Sequence, residues 1–411
     1  MKRKEEMVTM EIGQGRTIEI STGKMAGLAN GSCIVRSGDT TLLVACCSAK
    51  SREGTDFLPL QVDYREKYSA AGKFPGGYIK REGRPNDREI LICRMTDRPV
   101  RPLFPEGFFD EVQIQALLLS TDGEHDPDTL SPLGASAALA LSDLPFQGPI
   151  GALRVGMIDG KFVANPTISE MEKSQINLVY AGLADKVIMI EGDAKQCSEE
   201  TLREAMIFAN EIVKKQIAAQ VQLAKIAGRE KKKYELCSIP NELTEAVKAK
   251  ESEISKACVI ASKEERQDSL SKIFEEIEAP LKEKYSETIA DFGTKLKIAF
   301  DRFVEKTVRK NIRDKSVRMD GRALDQLREI NSEVSVLPRV HGSALFSRGE
   351  TQALMIVTMG SPLDAQDTDL VISSGKQKKF YLHYNFPNFS VGEVGRISGP
   401  GRREIGHGNL A

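Results

Sequence analysis

Residues Gly31–Cys47 read GSCIVRSGDTTLLVACC, and residues Gly342–Thr358 read GSALFSRGETQALMIVT, so the two stretches align without a gap at an offset of 311. Each places a glycine-acidic pair between two strand-like runs, which predicts a β-hairpin with a tight turn. A second echo follows in the same order, Asp87–Ile90 (DREI) against Arg402–Ile405 (RREI). We interpret the two echoes as a duplicated domain. The alternative is that any two glycine-turn hairpins look alike.

The stretch between the two copies predicts helices. Only two of the 33 glycines fall between Gln196 and Met319, and a region poor in glycine and proline favours helix. Ser198 is a suitable cap for the first of these helices, and Gly228 is a suitable stop. From Asn241 to Arg313 the pattern stays helical and becomes more charged, which predicts a separate helical module.

The flanking regions predict sheets. Residues 8–60 and 111–190 carry short β-branched runs broken by glycine and aspartate, with a helical pattern at Gly134–Leu141. This mixture is typical of α+β or α/β domains. The first copy continues for more than 100 residues past Ile90, whereas the second continues for six past Ile405. We therefore expect the second copy to be incomplete in this chain.

Composition narrows the class of protein. A chain of 411 residues predicts two or three domains, and a net charge of −1, from 58 basic and 59 acidic residues, excludes a histone-like protein. No apolar stretch approaches the roughly 18–20 residues of a membrane span, and the N-terminus lacks the apolar region of a secretory signal. The seven cysteines include no C-x-x-C pair. We predict a cytoplasmic protein with reduced thiols and no membrane association.

Common catalytic signatures are absent. The sequence has no G-x-S-x-G elbow, no phosphate-binding P-loop and no H-E-x-x-H helix, which disfavours a generic hydrolase or dehydrogenase. Its four histidines are scattered and show no metal-ligand spacing.

An arginine-rich segment, Gly76–Pro105 (GGYIKREGRPNDREILICRMTDRPVRPLFP), predicts a nucleic-acid surface. Its glycines present Tyr78 on a loop, and guanidinium groups bind phosphates and stack on bases. The basic candidates are Lys80, Arg81, Arg84, Arg94, Arg98 and Arg101. The alternative is a helix face neutralised by salt bridges, because Asp97 and Glu89 lie among these arginines.

The C-terminal segment offers a second candidate. Arg402 and Arg403 stand beside glycines and could cradle a phosphate or another oxyanion. His383 could donate a proton or bind phosphate, although a structural role is the alternative.

These residues resemble the bacterial polynucleotide phosphorylase family. Gly76–Pro105 is similar to that family's loop-and-arginine region, and His383–Gly408 (HYNFPNFSVGEVGRISGPGRREIGHG) to the matching part of its second core domain. Gly342–Leu354 and Glu191–Met206 fit the same family. The likeness runs in order through essentially the whole chain.

The resemblance implies an α+β fold of two RNase PH-like domains, each a mixed β-sheet with helices, joined by an all-α domain. It implies a first RNase PH-like core at residues 1–145 and the second half of that domain at 146–235. It further implies a helical linker domain at 236–316 and a partial second core at 317–411.

The resemblance also implies an activity, a phosphorolytic 3′→5′ exoribonuclease. Such an enzyme degrades single-stranded RNA, including mRNA, with inorganic phosphate to nucleoside diphosphates, and the reverse reaction polymerises them. Magnesium would offset charge at the attacked phosphodiester. The implied partners are single-stranded RNA, two further copies in a ring-shaped homotrimer, and a helicase and an endoribonuclease of an RNA-degradation complex; DNA is not expected.

The resemblance assigns roles by position. The family's RNA-gripping constriction loop corresponds to Tyr78, Ile79, Lys80, Arg81 and Arg84, where Ile79 replaces the second ring of the usual aromatic pair. Arginines that flank the catalytic chamber correspond to Arg94, Arg98 and Arg101. Residues that line the phosphate and the RNA end correspond to Arg402 and Arg403, with His383.

One departure keeps a second function open. In the family, a phosphate-binding serine pair, metal-binding aspartates and a catalytic lysine follow the segment that ends here, so we expect the magnesium ligands to lie beyond Ala411. The alternative function is a catalytically inactive RNA-binding or ring-scaffold fragment. A tRNA-trimming relative with a single core domain is disfavoured by the repeat and the helical insert.

Overall fold

The structure is a computed structural model that describes residues 4–52, 54–76, 78–368, 370–372 and 377–411. The chain forms two compact units. The first unit comprises Met1–Ser51, Leu58–Leu236 and Gln366–Ala411, and the second comprises Arg52–Phe57 and Cys237–Ala365. Each unit contains its own cluster of buried apolar side chains.

A six-stranded mixed sheet forms the larger layer of the first unit. Its strands are β1 (Glu6–Gly13), β2 (Arg16–Thr22), β3 (Gly31–Ser37), β4 (Thr40–Ala49), β5 (Leu60–Glu66) and β6 (Glu111–Ser120). Helix α1 (Asp87–Val100) lies between β5 and β6 in the sequence. The strand order is β1-β2-β3-β4-β6-β5, and only the β5–β6 pair is parallel. Helix α2 (Leu130–Leu141) contacts β3 and β4 and is buried along nearly its whole length.

The first unit also contains a second sheet, which has four antiparallel strands. The elements are β7 (Gly151–Ile158), β8 (Lys161–Ala164), α3 (Ile168–Met171), β9 (Ile176–Gly182), β10 (Val187–Ala194) and α4 (Glu199–Ala227), with strand order β10-β9-β7-β8. The prediction for α4 is confirmed, since Ser198 accepts a hydrogen bond from the Thr201 amide and the helix ends before Gly228. None of the helices in the described residues is long and apolar enough to cross a membrane.

Two buried glutamines attach α4 to the edge of β7. The side chain of Gln216 accepts a hydrogen bond from the Ala152 amide at 2.8 Å and donates one to the Ala152 carbonyl at 3.0 Å. Gln220 donates to the Ile150 carbonyl at 2.7 Å. Because β8 pairs only with residues 155–158 of β7, these glutamines satisfy backbone groups that no neighbouring strand reaches.

The second unit contains the predicted helical module. Its elements are α5 (Asn241–Ala249), α6 (Glu251–Ala257), α7 (Lys263–Tyr285), α8 (Phe292–Lys315), β11 (Ile330–Val334), β12 (Gly342–Arg348) and β13 (Thr351–Val357). The three strands form an antiparallel sheet. The remaining elements belong to the first unit: β14 (Gln366–Asp367), β15 (Gln377–Lys378) and α9 (Arg402–Leu410).

The repeat inferred from sequence recurs in the backbone. Gly31 pairs with Cys46 across β3 and β4, and Gly342 pairs with Val357 across β12 and β13, so the two hairpins share one register. The turn glycines, Gly38 and Gly349, have φ angles of 57° and 56°. This left-handed conformation is the one that two-residue hairpin turns require of glycine. Both predicted hairpins are confirmed.

The α4 contact generates a stability prediction. Gln216→Leu removes the partners of the buried Ala152 amide and carbonyl, so we expect the free energy of unfolding to fall by about 2–4 kcal/mol. Urea denaturation measures the change. The control, Gln222→Leu on the exposed face of α4, should stay within about 0.5 kcal/mol of the parent. Equal losses of unfolding free energy in the two variants would show that the hydrogen bonds of Gln216 to Ala152 do not stabilise the fold.

Candidate nucleic-acid interface

The loop of residues 73–86, which we call the Tyr78 loop, presents the predicted constriction residues to solvent. Tyr78 is 102% exposed and Ile79 is 81% exposed. Lys80 has a φ of 52°, a conformation that costs a non-glycine residue about 1 kcal/mol. The cations Lys80, Arg81 and Arg84 are exposed and form no ion pair within the described part of the chain. Gly77 lies outside the described residues.

The base of the Tyr78 loop is anchored although its tip is free. Arg65 of β5 donates a hydrogen bond to the Gly83 carbonyl at 2.6 Å. The Glu82 carboxylate accepts from the Tyr68 amide at 3.1 Å and forms an ion pair with Lys67. The loop therefore holds a fixed position on β5 while its apolar and basic tip remains available to a ligand.

Helix α1 begins where this loop ends, and its first arginine turns inward. Arg88 donates to Glu66 at 2.8 Å and to Asp126 at 2.6 Å, and Tyr64 donates to the same Glu66 oxygen at 3.0 Å. Burial raises the pKa of Glu66, although Arg88 acts in the opposite direction. Burial by itself would lower the pKa of Arg88. The negative charges of Asp126 and Glu66 outweigh burial and raise the pKa above its usual value, so the guanidinium stays charged. Arg88 is thus a structural ion-pair partner, which its place in the arginine-rich segment did not reveal.

Arg94, Arg98 and Arg101, the other predicted arginines of this segment, have different surroundings, and Arg101 lies just after the end of α1. Arg98 donates to Glu191 of β10 at 2.8 Å. Arg101 pairs with Asp97 and also donates to the carbonyls of Leu58 and Leu60. Both contacts fit the salt-bridge alternative, while a contact of these residues with RNA remains a prediction. Arg94 has no such partner among the described residues and lies against α9.

Helix α9 lies against α1 at a close contact. A Cβ placed on Gly406 would lie 2.2 Å from Nε of Arg94, so a side chain at this position would require the Arg94 side chain to shift. At the N-terminus of α9, Arg402 donates to the Val62 carbonyl at 2.6 Å and pairs with Asp63 at 2.8 Å, both in β5. The side chain of Arg402 is therefore engaged in holding α9 on the sheet.

The neighbouring arginine is free. Arg403 is exposed and forms no ion pair within the described ranges. His407, one helical turn later, stacks on Tyr384 with ring centroids 4.1 Å apart. His383 is exposed and stacks on Tyr381 at 5.4 Å. Sequence reasoning selected His383 and missed His407, although the four-residue spacing from Arg403 would have placed both side chains on one face of a helix.

The acidic groups do not form a metal centre in the described residues. No set of three or more His, Cys, Asp or Glu side chains there could hold a metal ion.

Three protein-family models match successive parts of this chain. The model described as "3' exoribonuclease family, domain 1" matches residues 14–145 and 326–411, and domain 2 of the same family matches residues 148–212. The model described as "Polyribonucleotide nucleotidyltransferase, RNA binding domain" matches residues 242–323. Together the three models match most of the chain.

Similar curated proteins carry one name. The chain is 51% identical to the polyribonucleotide nucleotidyltransferase of Akkermansia muciniphila, over 96% of this chain and 55% of that protein. It is 48% identical to the polyribonucleotide nucleotidyltransferase of Geotalea daltonii, over 99% of this chain and 58% of that protein. The chain thus spans a little over half the length of these relatives.

The two adjacent arginines of α9 generate a prediction. Arg402→Ala removes a hydrogen bond and an ion pair that hold α9 on β5, so we expect the free energy of unfolding to fall by about 1 kcal/mol. Arg403→Ala, the matched control, should change it by less than about 0.5 kcal/mol. Chemical denaturation of both variants measures the difference. The reverse order of stabilities would show that α9 is not held by Arg402.

Proposed function

The chain belongs to the 3′ exoribonuclease family and carries the domain series of polyribonucleotide nucleotidyltransferases. On that premise we propose that it binds single-stranded RNA and takes part in phosphorolytic degradation from the 3′ end. The observation that carries the proposal is the Tyr78 loop. Its exposed ring and its three cations, which form no ion pair among the described residues, suit stacked bases and a phosphate backbone.

The reaction would transfer a nucleotide to inorganic phosphate. A phosphate oxygen attacks the phosphorus of the last phosphodiester, and the bond from that phosphorus to the 3′ oxygen of the preceding nucleotide breaks. The released oxygen takes up a proton, and a nucleoside 5′-diphosphate leaves. Arg403 is a suitable phosphate ligand because it is exposed and unpaired among the described residues, whereas Arg402 is engaged with β5. His407 lies one helical turn after Arg403 and stacks on Tyr384.

Several parts of the proposal rest on family membership alone. They are the four-part domain division, the roles of Arg94, Arg98 and Arg101, the roles of Arg402 and His383 at the phosphate and RNA end, the dependence on Mg²⁺, the homotrimer, the helicase and endoribonuclease partners, and the cytoplasmic location. A catalytically inactive RNA-binding or scaffold fragment remains the alternative, because binding requires only the exposed aromatic and basic groups described above.

The helical unit supports RNA binding through its charge distribution. Residues 292–323 carry ten basic and four acidic side chains, whereas residues 241–291 carry eight basic and thirteen acidic ones. On α8, residues at steps of three and four place Lys306, Arg309 and Arg313 in one line. Arg309 and Arg313 are each 78% exposed, and their ion pairs with Glu305 and Asp314 lie at the surface, where such pairs are weak. Phosphates can therefore replace those carboxylates.

A phosphorolysis assay tests the activity. We expect the chain, incubated with radiolabelled single-stranded RNA, magnesium and phosphate, to release nucleoside diphosphates that thin-layer chromatography resolves. Omitting phosphate should abolish their release. RNA retained on a filter without diphosphate release would favour the inactive RNA-binding alternative. Absence of both would contradict the proposal.

A salt titration tests the α8 line. Each phosphate contact to a single strand contributes about 0.7 to the slope of log binding constant against log salt. We therefore expect the triple variant Lys306→Ala, Arg309→Ala, Arg313→Ala to lower that slope by about 2. The control removes three exposed lysines from α7, Lys263, Lys272 and Lys282, and should leave the slope nearly unchanged. Equal losses would indicate an effect of net charge and not of this line.

A further inference from the structure

We propose that residues 393–401, which we call the Arg396 loop, form a second RNA-gripping loop, the counterpart in the second copy of the Tyr78 loop. This inference rests on the proposed function, since it names a further part of the RNA-binding site. The Arg396 loop was not among the candidates that the sequence pattern selected, because the two loops differ in length and share little sequence.

The two loops begin with the same backbone device. A 3₁₀ turn at Tyr68–Ala71 ends at Gly72, which has φ 65° and ψ 24°. A 3₁₀ turn at Asn388–Val391 ends at Gly392, which has φ 72° and ψ 22°. Each left-handed glycine reverses the chain, so each loop leaves its turn with similar local geometry.

The two loops also end alike. The Tyr78 loop leads into α1 through a capping box in which Glu89 reaches back to the Asn86 amide at 2.8 Å. The Arg396 loop leads into α9, where Glu404 reaches back to the Gly401 amide at 2.6 Å. These are the DREI and RREI echoes of the sequence, and the helices that they begin contact each other. The duplication therefore extends to the loops and places them at the starts of two packed helices.

Both loops are held by the same strand. Arg65 of β5 binds the carbonyl of Gly83 in the Tyr78 loop, and Arg402, directly after the Arg396 loop, binds Val62 and Asp63 of β5. Three residues of a strand span about 10 Å, so the two anchor points are close enough for one RNA strand to touch both loops.

The tip of the Arg396 loop combines apolar and basic side chains. Val394 is 105% exposed and Ile397 is 95% exposed, and they flank Arg396, which forms no ion pair in the described part of the chain. Two aliphatic side chains held fully in water beside a cation suit contact with base faces and a phosphate. The loop carries no aromatic ring, so it would supply apolar contact and charge and leave stacking to Tyr78.

The charge around the loop favours a polyanion over a protein partner. Residues 377–403 carry five basic side chains and one acidic one, Glu393, in a chain whose net charge is −1. The basic residues are Lys378, Lys379, Arg396, Arg402 and Arg403, of which Lys378 pairs with Asp87 and Arg402 with Asp63. A single-stranded RNA bound at the Tyr78 loop would extend over this basic surface.

Binding measurements on the full chain test the proposal, with a single-stranded oligoribonucleotide as the probe. Arg396→Ala should lower the slope of log binding constant against log salt by about 0.7. Val394→Ser with Ile397→Ser should weaken binding about three- to tenfold at an unchanged slope, because it removes apolar contact and no charge. Matched controls away from both loops are Lys186→Ala and Leu28→Ser, which remove an exposed cation and an exposed aliphatic group and should change neither quantity.

Photo-crosslinking distinguishes failure of this inference from failure of the proposed function. With 4-thiouridine in the RNA, crosslinks at residues 78–84 and 393–397 would support both. Crosslinks at 78–84 alone, with Tyr78→Ala weakening binding and the Arg396 loop variants behaving like their controls, would overturn the second loop and leave the proposed function intact. No binding by the parent chain would overturn the proposed function and the inference together.

Discussion

The contact between α1 and α9 is the constraint on which the candidate interface depends. Gly406 allows the α9 backbone to approach the Arg94 side chain, and Arg402 attaches the start of α9 to β5. A side chain at position 406 would need the space that Arg94 occupies. Helices α1 and α9 each follow an exposed loop, and their starts lie some 315 residues apart in the sequence. Their contact therefore brings the two loops together at β5.

The arginines of the first unit serve two opposite purposes. Arg88 and Arg101 are engaged with carboxylates and carbonyls of the fold, and these contacts contribute to its stability. Arg81, Arg84 and Arg403 are exposed without partners among the described residues. The difference follows from geometry, since a guanidinium close to buried carboxylates is neutralised there, whereas one on a loop tip remains free to exchange water for phosphate.

Much of the local structure could be predicted because it depends on neighbouring residues. The hairpin register follows from the turn glycines Gly38 and Gly349, and the α4 boundaries follow from Ser198 and Gly228. The same hairpin has different surroundings in its two copies: β3 and β4 are covered by α2, whereas β13 is exposed along its length. No turn or periodicity encodes that difference, because burial depends on what another segment places against the strand.

The sequence by itself determined the duplication, the helical insert and the family, since repeats, helix signals and motifs are properties of residue order. Only the tertiary structure decided which of the predicted cations are free. Charge counting cannot separate Arg402 from Arg403, although Arg402 pairs with Asp63 of β5 and Arg403 forms no ion pair within the described residues. Residue order aligned the segments that follow the loops at 73–86 and 393–401, but not the loops themselves, whose lengths and residues differ. The two loops share the left-handed glycine at which each begins, a glutamate that accepts from the N-cap amide of the following helix, and attachment to β5, and the first and last of these properties exist only once the chain has folded.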